Sequence, residues 1–197
     1  PILWHIMKGY AAYGFNEFVI CLGYKGYQIK EYFANYTLHE SEVTFDFSSG
    51  KKETIHANNA EHWRVTLVDT GLETMTGGRL KRVQKHLNNE PFMLTYGDGV
   101  ANVDLKALLK QHQAKRKLAT VTAVPPLGRF GALSLDPMGK VTRFQEKAEG
   151  DNSWINAGFF VLEPKVLDYI KDDQVMFENE PVEKLAKEGQ LMAYKHT

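Results

Sequence analysis

The sequence predicts an α/β fold in one domain, residues 1–197, built on a mixed, mostly parallel sheet flanked by helices. Three observations carry that expectation. Apolar runs of strand length alternate with segments of helical apolar spacing over the first two thirds of the chain, the pattern of right-handed βαβ units. Beyond Pro125-Pro126 the pattern changes to that of a hairpin, with a turn at Asp136-Pro137-Met138-Gly139, which makes the sheet mixed. A chain of 197 residues with 43% hydrophobic content can also bury one sizeable core.

Each element follows from its residues. Ile2, Leu3, Ile6, Met7 and Tyr10 recur at helical spacing, with Pro1 suited to the first helical position and Gly14 to the cap. Phe18-Val19-Ile20-Cys21-Leu22 reads as a buried strand. After the turn Gly23-Tyr24-Lys25-Gly26, the residues Ile29, Tyr32, Phe33 and Tyr36 form a second helical face. Val43 to Phe47 alternates as a strand does, and Arg64-Val65-Thr66-Leu67-Val68 is the next strand. Between them, residues 48–62 are polar and without periodicity, so a loop or lid is expected there.

Gly77-Gly78 leads into a helix through Leu80, Val83 and Leu87, whose cations Arg79, Lys81, Arg82 and Lys85 are expected to form a solvated face. The Phe92 strand follows, then a helix through Leu105, Leu108, Leu109 and His112, then a strand over 119–124. Lys115-Arg116-Lys117 falls where cations complement a helix C-terminus. The hairpin occupies 131–135 and 140–144, with a further strand over 154–162. Two short helices, around 164–171 and 179–188, precede a last strand at 191–195.

Composition narrows the function. With 24 basic and 24 acidic residues the chain has no net field favouring nucleic acid or an anionic membrane. No uninterrupted apolar stretch approaches the length of a membrane span. The single Cys21 excludes an intrachain disulfide and reads as a buried thiol, so a reducing, cytoplasmic setting is expected. The chain opens Pro1-Ile2-Leu3-Trp4 without an initiator Met and reads as the middle of a longer protein.

The chemistry gathers at strand ends. Thr95-Tyr96-Gly97-Asp98-Gly99 closes the apolar run Pro91 to Leu94 and sets a carboxylate between two glycines. Open α/β sheets bind ligands at such ends, and Mg²⁺ needs only one or two protein carboxylates plus phosphate oxygens. Gly-Asp-Gly is equally ordinary turn chemistry. Walker A and G-x-G-x-x-G patterns are absent, which argues against a nicotinamide dehydrogenase, and the seven histidines are scattered.

The remaining short polar segments are Asp69-Thr70-Gly71, Met75-Thr76-Gly77-Gly78, Gly97-Asp98-Gly99, Gly128-Arg129-Phe130-Gly131, Gln145-Glu146-Lys147 and Asn156-Ala157-Gly158. In this combination and order they resemble the sugar-1-phosphate nucleotidyltransferases. The most specific stretches are Gly23 to Tyr36, Val65 to Arg82 and Thr95 to Ala101. The resemblance covers nearly all of the chain and implies a Rossmann-like sheet of the nucleotide-diphospho-sugar transferase type. It further implies CTP and glucose 1-phosphate as substrates, CDP-glucose and pyrophosphate as products, magnesium (Mg2+) as the cofactor, and a homo-oligomer. A relative using dTTP or UTP, or a non-catalytic module that binds a sugar nucleotide, remains a rival.

Roles follow from the same resemblance. Asp98 would ligate the metal, and Lys147 would face the sugar phosphate. Thr76, Gly77 and Gly78, with Tyr96 and Gly97, would bind the nucleotide; the plain alternative for the first three is a capped helix N-terminus. Gly131, Glu146, Lys147 and Asn156 would bind the sugar phosphate. Gly131 would otherwise only start the hairpin, Glu146 pair with Lys147, and Asn156 cap a bulge beside Gly158. Phe159 and Phe160 are expected in the core. Glu146-Lys147-Ala148 stands where similar enzymes read Glu-Lys-Pro.

The resemblance places the triphosphate loop, with its strand, upstream of Pro1, and a second metal carboxylate beyond Thr197. The first strand of the sheet is thus expected to be missing, leaving a gap between the strands at 18–22 and 92–96 or a strand borrowed from a neighbour. These residues alone are accordingly expected to turn over poorly.

Overall fold

Local chemistry sets the elements. The computed structural model describes residues 1–48, 50–125, 132–135, 141–145 and 154–196. Helix α1 runs Ile2–Ala11, strand β1 Glu17–Leu22, helix α2 Gly26–Ala34, helix α3 Tyr36–His39 and strand β2 Ser41–Asp46. Pro1 is the N-cap of α1 rather than its first helical residue. Strands β3 Lys52–Asn58 and β4 Arg64–Asp69 follow, then helix α4 Thr76–Arg82 and strand β5 Phe92–Thr95. Helix α5 spans Leu105–Lys115; the Asp104 carboxylate accepts the Ala107 N–H at 2.9 Å and so starts it. Next come β6 Ala119–Val124, β7 Ala132–Leu135, β8 Val141–Gln145, β9 Ile155–Leu162, α6 Glu180–Lys187 and β10 Leu191–Lys195. Helix α6 opens on Glu180-Pro181, with Glu183 also in its first turn, so proline and acid both sit where a helix start favours them.

The strands form a four-stranded sheet in the order β10-β6-β9-β5 and a separate pair β1-β4. β1 and β4 are parallel, as are β10 and β6, whereas β9 is antiparallel to both β5 and β6. It follows that β5, β6 and β10 share one direction. Their carboxyl ends and the start of β9 therefore lie at the same end of the sheet.

Strand β9 organises the core because alternate side chains leave opposite faces. Phe159 and Val161 pack with Ile6 and Tyr10 of α1 and with Leu105 and Leu108 of α5. Phe160 and Leu162 pack with Leu80 of α4, Phe177 and Leu185 of α6. Each such fully buried side chain contributes about 1.5–3 kcal/mol. The two phenylalanines are core residues, as the sequence predicts.

Among the described residues no strand joins β1 to β5. Helix α1 spans the interval instead, with Ile6 and Tyr10 in one cluster with Phe18 of β1 and Met93 of β5. Phe18 to Cys21 and Phe92 to Thr95 are only half-buried, in contrast to Phe159 to Leu162 of the doubly paired β9.

Several elements differ from the sequence-based expectation. Residues 52–58 are not loop: β3 pairs antiparallel with β2, with a register shift between Glu42 and Val43. Thr54 and Ile55 supply the β-branched side chains that suit a strand. The helix expected to reach Leu87 ends at Arg82, and a separate 3₁₀ turn covers Gln84–His86. The segment after Pro164 is likewise a 3₁₀ helix, Pro164–Tyr169. The β7–β8 hairpin forms its own two-stranded unit, so the mixed character of the main sheet comes from β9.

Candidate active site

Topology assembles the site. Tyr96 to Gly99 leave the carboxyl end of β5, and Asn156 begins β9 beside them, because the two strands are antiparallel neighbours. The Tyr96 N–H donates to the Gly158 carbonyl at 3.2 Å. Gly158 adopts φ +78°, and a Cβ there would lie 2.6 Å from Cδ2 of the Tyr96 ring. Only glycine lets the ring sit where it does.

Asn156 works in two directions. Its Oδ1 accepts the Gly158 N–H at 2.7 Å, next to the shift in register between β6 and β9, so it does cap a bulge. Its Nδ2 donates to the Tyr96 hydroxyl at 3.0 Å. Among the described residues nothing takes the second amide hydrogen, which leaves it for a ligand. Burial, and next the charge of Glu178, push the Tyr96 phenol up to about 12, and the charge of Asp98 acts in the same direction.

Asp98 is exposed and lies in the turn after β5. Among the described residues it has no hydrogen bond or ion pair. Gly97 beside it has no atom within 4 Å of where a Cβ would stand. The carboxylate is thus open to a ligand on both counts. Among the described residues no group of three His, Cys, Asp or Glu side chains could hold a metal by itself.

Thr76 is the first residue of α4, but it does not cap the helix; Met75 holds that position. The Thr76 hydroxyl donates to Glu178 Oε2 at 2.6 Å and accepts the Phe177 N–H at 2.9 Å. Gly77 and Gly78 are buried. The Gly77 N–H is taken by the Val175 carbonyl at 3.0 Å. A Cβ on Gly78 would lie 2.6 Å from Asp173 Cα, and one on Gly77 2.7 Å from the Val175 oxygen. Both glycines admit the 173–177 segment to the helix, so Thr76 alone of the three is exposed.

The cations of α4 include the exposed Lys81 and Arg82, as expected of a solvated face, yet three of them are also tied to distant segments. Arg79 donates to Leu22 O at 3.1 Å, Thr70 Oγ1 at 2.7 Å and Leu72 O at 3.3 Å, pinning together the carboxyl ends of β1 and β4. Arg82 donates to both Asp173 oxygens and to Thr70 O, while Lys81 donates to the carbonyls of Leu167 and Ile170. Helical spacing identifies which residues share a face but cannot supply acceptors from distant segments.

Glu178 was not among the sequence-predicted site residues. An acid between apolar Phe177 and the Pro181 helix start was the only local signal, and the contact with Thr76 spans 102 positions. Gly131, Glu146 and Lys147 lie outside the described residues; the structure brings together Tyr96 and Asn156, with Asp98 and Gly97 on the adjoining turn, while Thr76 meets Glu178.

Comparison with known proteins concerns the chain as a whole. The family model described as nucleotidyl transferase matches residues 1–195. The chain is 55% identical over 197 residues to glucose-1-phosphate cytidylyltransferase of Salmonella typhi, covering 100% of this chain and 76% of that protein. It is 24% identical over 186 residues to a UTP–glucose-1-phosphate uridylyltransferase of Synechocystis, covering 88% of this chain and 44% of that protein. Among solved structures, HddC from Yersinia pseudotuberculosis superposes with a TM-score of 0.67 at 20% identity, covering 99% of this chain and 76% of that one.

Proposed function

The chain belongs to the nucleotidyl transferase family, and from that premise we propose that it transfers a cytidylyl group from CTP to glucose 1-phosphate. The products are CDP-glucose and pyrophosphate. The observation that carries this reading is the 55% identity to a glucose-1-phosphate cytidylyltransferase along the whole chain. The geometry is compatible, with an open carboxylate at the carboxyl end of β5 beside an asparagine that keeps a free donor.

In this reading a phosphate oxygen of glucose 1-phosphate attacks the α-phosphorus of CTP. The bond from that phosphorus to the bridging oxygen breaks, and pyrophosphate leaves in line. No proton need move, so the protein's task is to hold two anions together and offset charge. Asp98 fits Mg²⁺: a carboxylate without a partner among the described residues, with space above Gly97, suits an ion that keeps waters and takes phosphate oxygens for its other positions. Bound there, the ion supplies charge neutralisation and polarisation at the α-phosphorus.

Asn156 would donate its remaining amide hydrogen to a sugar hydroxyl, and Tyr96 holds that amide in place. Glu146, Lys147 and Gly131 keep the sugar-phosphate roles that the family resemblance gives them. A cytoplasmic setting and a homo-oligomeric assembly belong to the same proposal.

Pyrophosphate release tests the reading. With glucose 1-phosphate and Mg²⁺, CTP should be the preferred nucleotide over UTP and dTTP, and chelation with EDTA should abolish release. Equal rates with all three nucleotides would refute the cytidylyl assignment.

A further inference from the structure

The carboxyl end of β10 carries an exposed cation, Lys195, at the same end of the sheet as Asn156. Lys195 pairs in register with Ala123 of β6, and Ala123 pairs in register with Asn156 of β9. Residues paired in this way send their side chains to one face of a sheet. The neighbours identify that face. Tyr194 packs against the cluster of Phe159 and Val161, so Lys195 leaves from the opposite face, where Tyr96 packs with Phe160 and receives the Asn156 amide at 3.0 Å. Lys195, Ala123 and Asn156 thus form a row across the site end of the sheet, the outer two backbones being about 10 Å apart. A hexose phosphate can bridge such an interval. The Lys195 ammonium is held in place, yet its charge is not neutralised. Its Nζ lies 4.8 Å from the centre of the ring of Trp154, the residue just before β9. Arg82 and Lys171 each meet a carboxylate, whereas among the described residues none pairs with Lys195. An indole face attracts a cation through its quadrupole and carries no charge of its own. The long side chain is therefore preorganised while its full charge stays available to an anion.

We propose that Lys195 is a substrate-binding residue that takes the phosphate of glucose 1-phosphate, with Trp154 as the surface that holds its ammonium ready. The inference rests on the cytidylyltransferase reading and adds a residue to its sugar side. With Asn156 on a sugar hydroxyl, the phosphate is the one anionic group of that substrate, and Lys195 is the cation in the same row. A fixed positive charge there offsets the repulsion between the two phosphates that an in-line transfer must bring together.

Three variants separate this from a merely structural role. Lys195→Met keeps the length of the side chain and removes the charge. It should raise the KM for glucose 1-phosphate by about tenfold or more, the size expected for one hydrogen bond to a charged group, and leave the KM for CTP within twofold of the parent. Lys195→Arg keeps the charge and still stacks on an indole, so it should recover most of the loss. Trp154→Leu removes the ring but not the charge and should raise the same KM by about two- to fivefold. If Lys195→Met leaves the KM for glucose 1-phosphate within twofold of the parent, or if Lys195→Arg is as poor as Lys195→Met, the inference is overturned.

A second readout needs no turnover. Calorimetric titration with glucose 1-phosphate should find Lys195→Met binding it about tenfold or more weaker than the parent protein, with an unchanged melting temperature. Equal affinities overturn the contact itself. A parent protein that binds glucose 1-phosphate but releases no pyrophosphate when CTP is added would instead refute the functional reading, and the titration would still decide the role of Lys195.

Discussion

The Asp173 carboxylate receives hydrogen bonds from Nε and a terminal nitrogen of Arg82, and this pairing, against a small cost of burial, holds its pKa below the usual carboxylate range. A group depressed in the folded state stabilises that state above its unfolded pKa, and the benefit is lost as pH falls through the folded value. Asp173→Asn should therefore melt at a lower temperature than the parent at pH 7, with the gap starting to narrow as pH falls below about 3.9, the ordinary Asp value, and closing only once the depressed folded-state carboxylate is protonated as well. Thermal melts across pH 2–8 read this directly; a gap independent of pH would mean that charge is not what Asp173 contributes. Legibility in the sequence divides along the same line. The place of Asp98, Tyr96 and Asn156 at strand ends could be read because apolar runs mark where β5 stops and β9 starts. Glu178 and Arg79 could not, because their partners lie 102 and 57 positions away.

Helix α4 illustrates what an element needs from its neighbours. Its second and third residues are glycines, which cost a helix about 1 kcal/mol each relative to alanine. They are tolerated because the 173–177 segment packs directly onto them, its carbonyls taking the N–H groups of Met75 and Gly77 at 2.8 and 3.0 Å. Gly78→Ala would place a Cβ 2.6 Å from Asp173 Cα, a backbone atom that cannot swing away. Denaturant unfolding should thus find this variant about 1–3 kcal/mol less stable, although the same change stabilises an open helix. A neutral or stabilising result would mean that the segment is not held against α4. The Gly-Gly pair admits both readings given to it, a helix start and a nucleotide contact, because close packing and ligand approach both select glycine. Likewise β3 was hidden since its strand face is polar, while the alternation in β2 and the apolar run of β9 were plain.

At the scale of the whole molecule, two sheet pieces hold the site. The parallel pair β1–β4 is tied to the rest through α1 and through the Arg79 and Arg82 contacts of α4. The four-stranded piece presents Tyr96 to Gly99 and Asn156 at one end. The α/β class and the strands other than β3 were legible from apolar spacing, whereas the interval between β1 and β5 was expected only from the family resemblance. The antiparallel entry of β9 was not legible, since an apolar run carries no direction. That reversal is what brings Asn156 to Tyr96, two residues before Asp98.

The central claim is that the Asp98 carboxylate supports metal-assisted transfer at that end of the sheet. Its most direct test is the rate of pyrophosphate release from CTP and glucose 1-phosphate by Asp98→Asn, at saturating Mg²⁺, against the parent protein. Removing the charge should slow turnover by about 100-fold or more while leaving the melting temperature unchanged, because Asp98 is exposed and has no partner among the described residues. Release at the parent's rate would contradict the account.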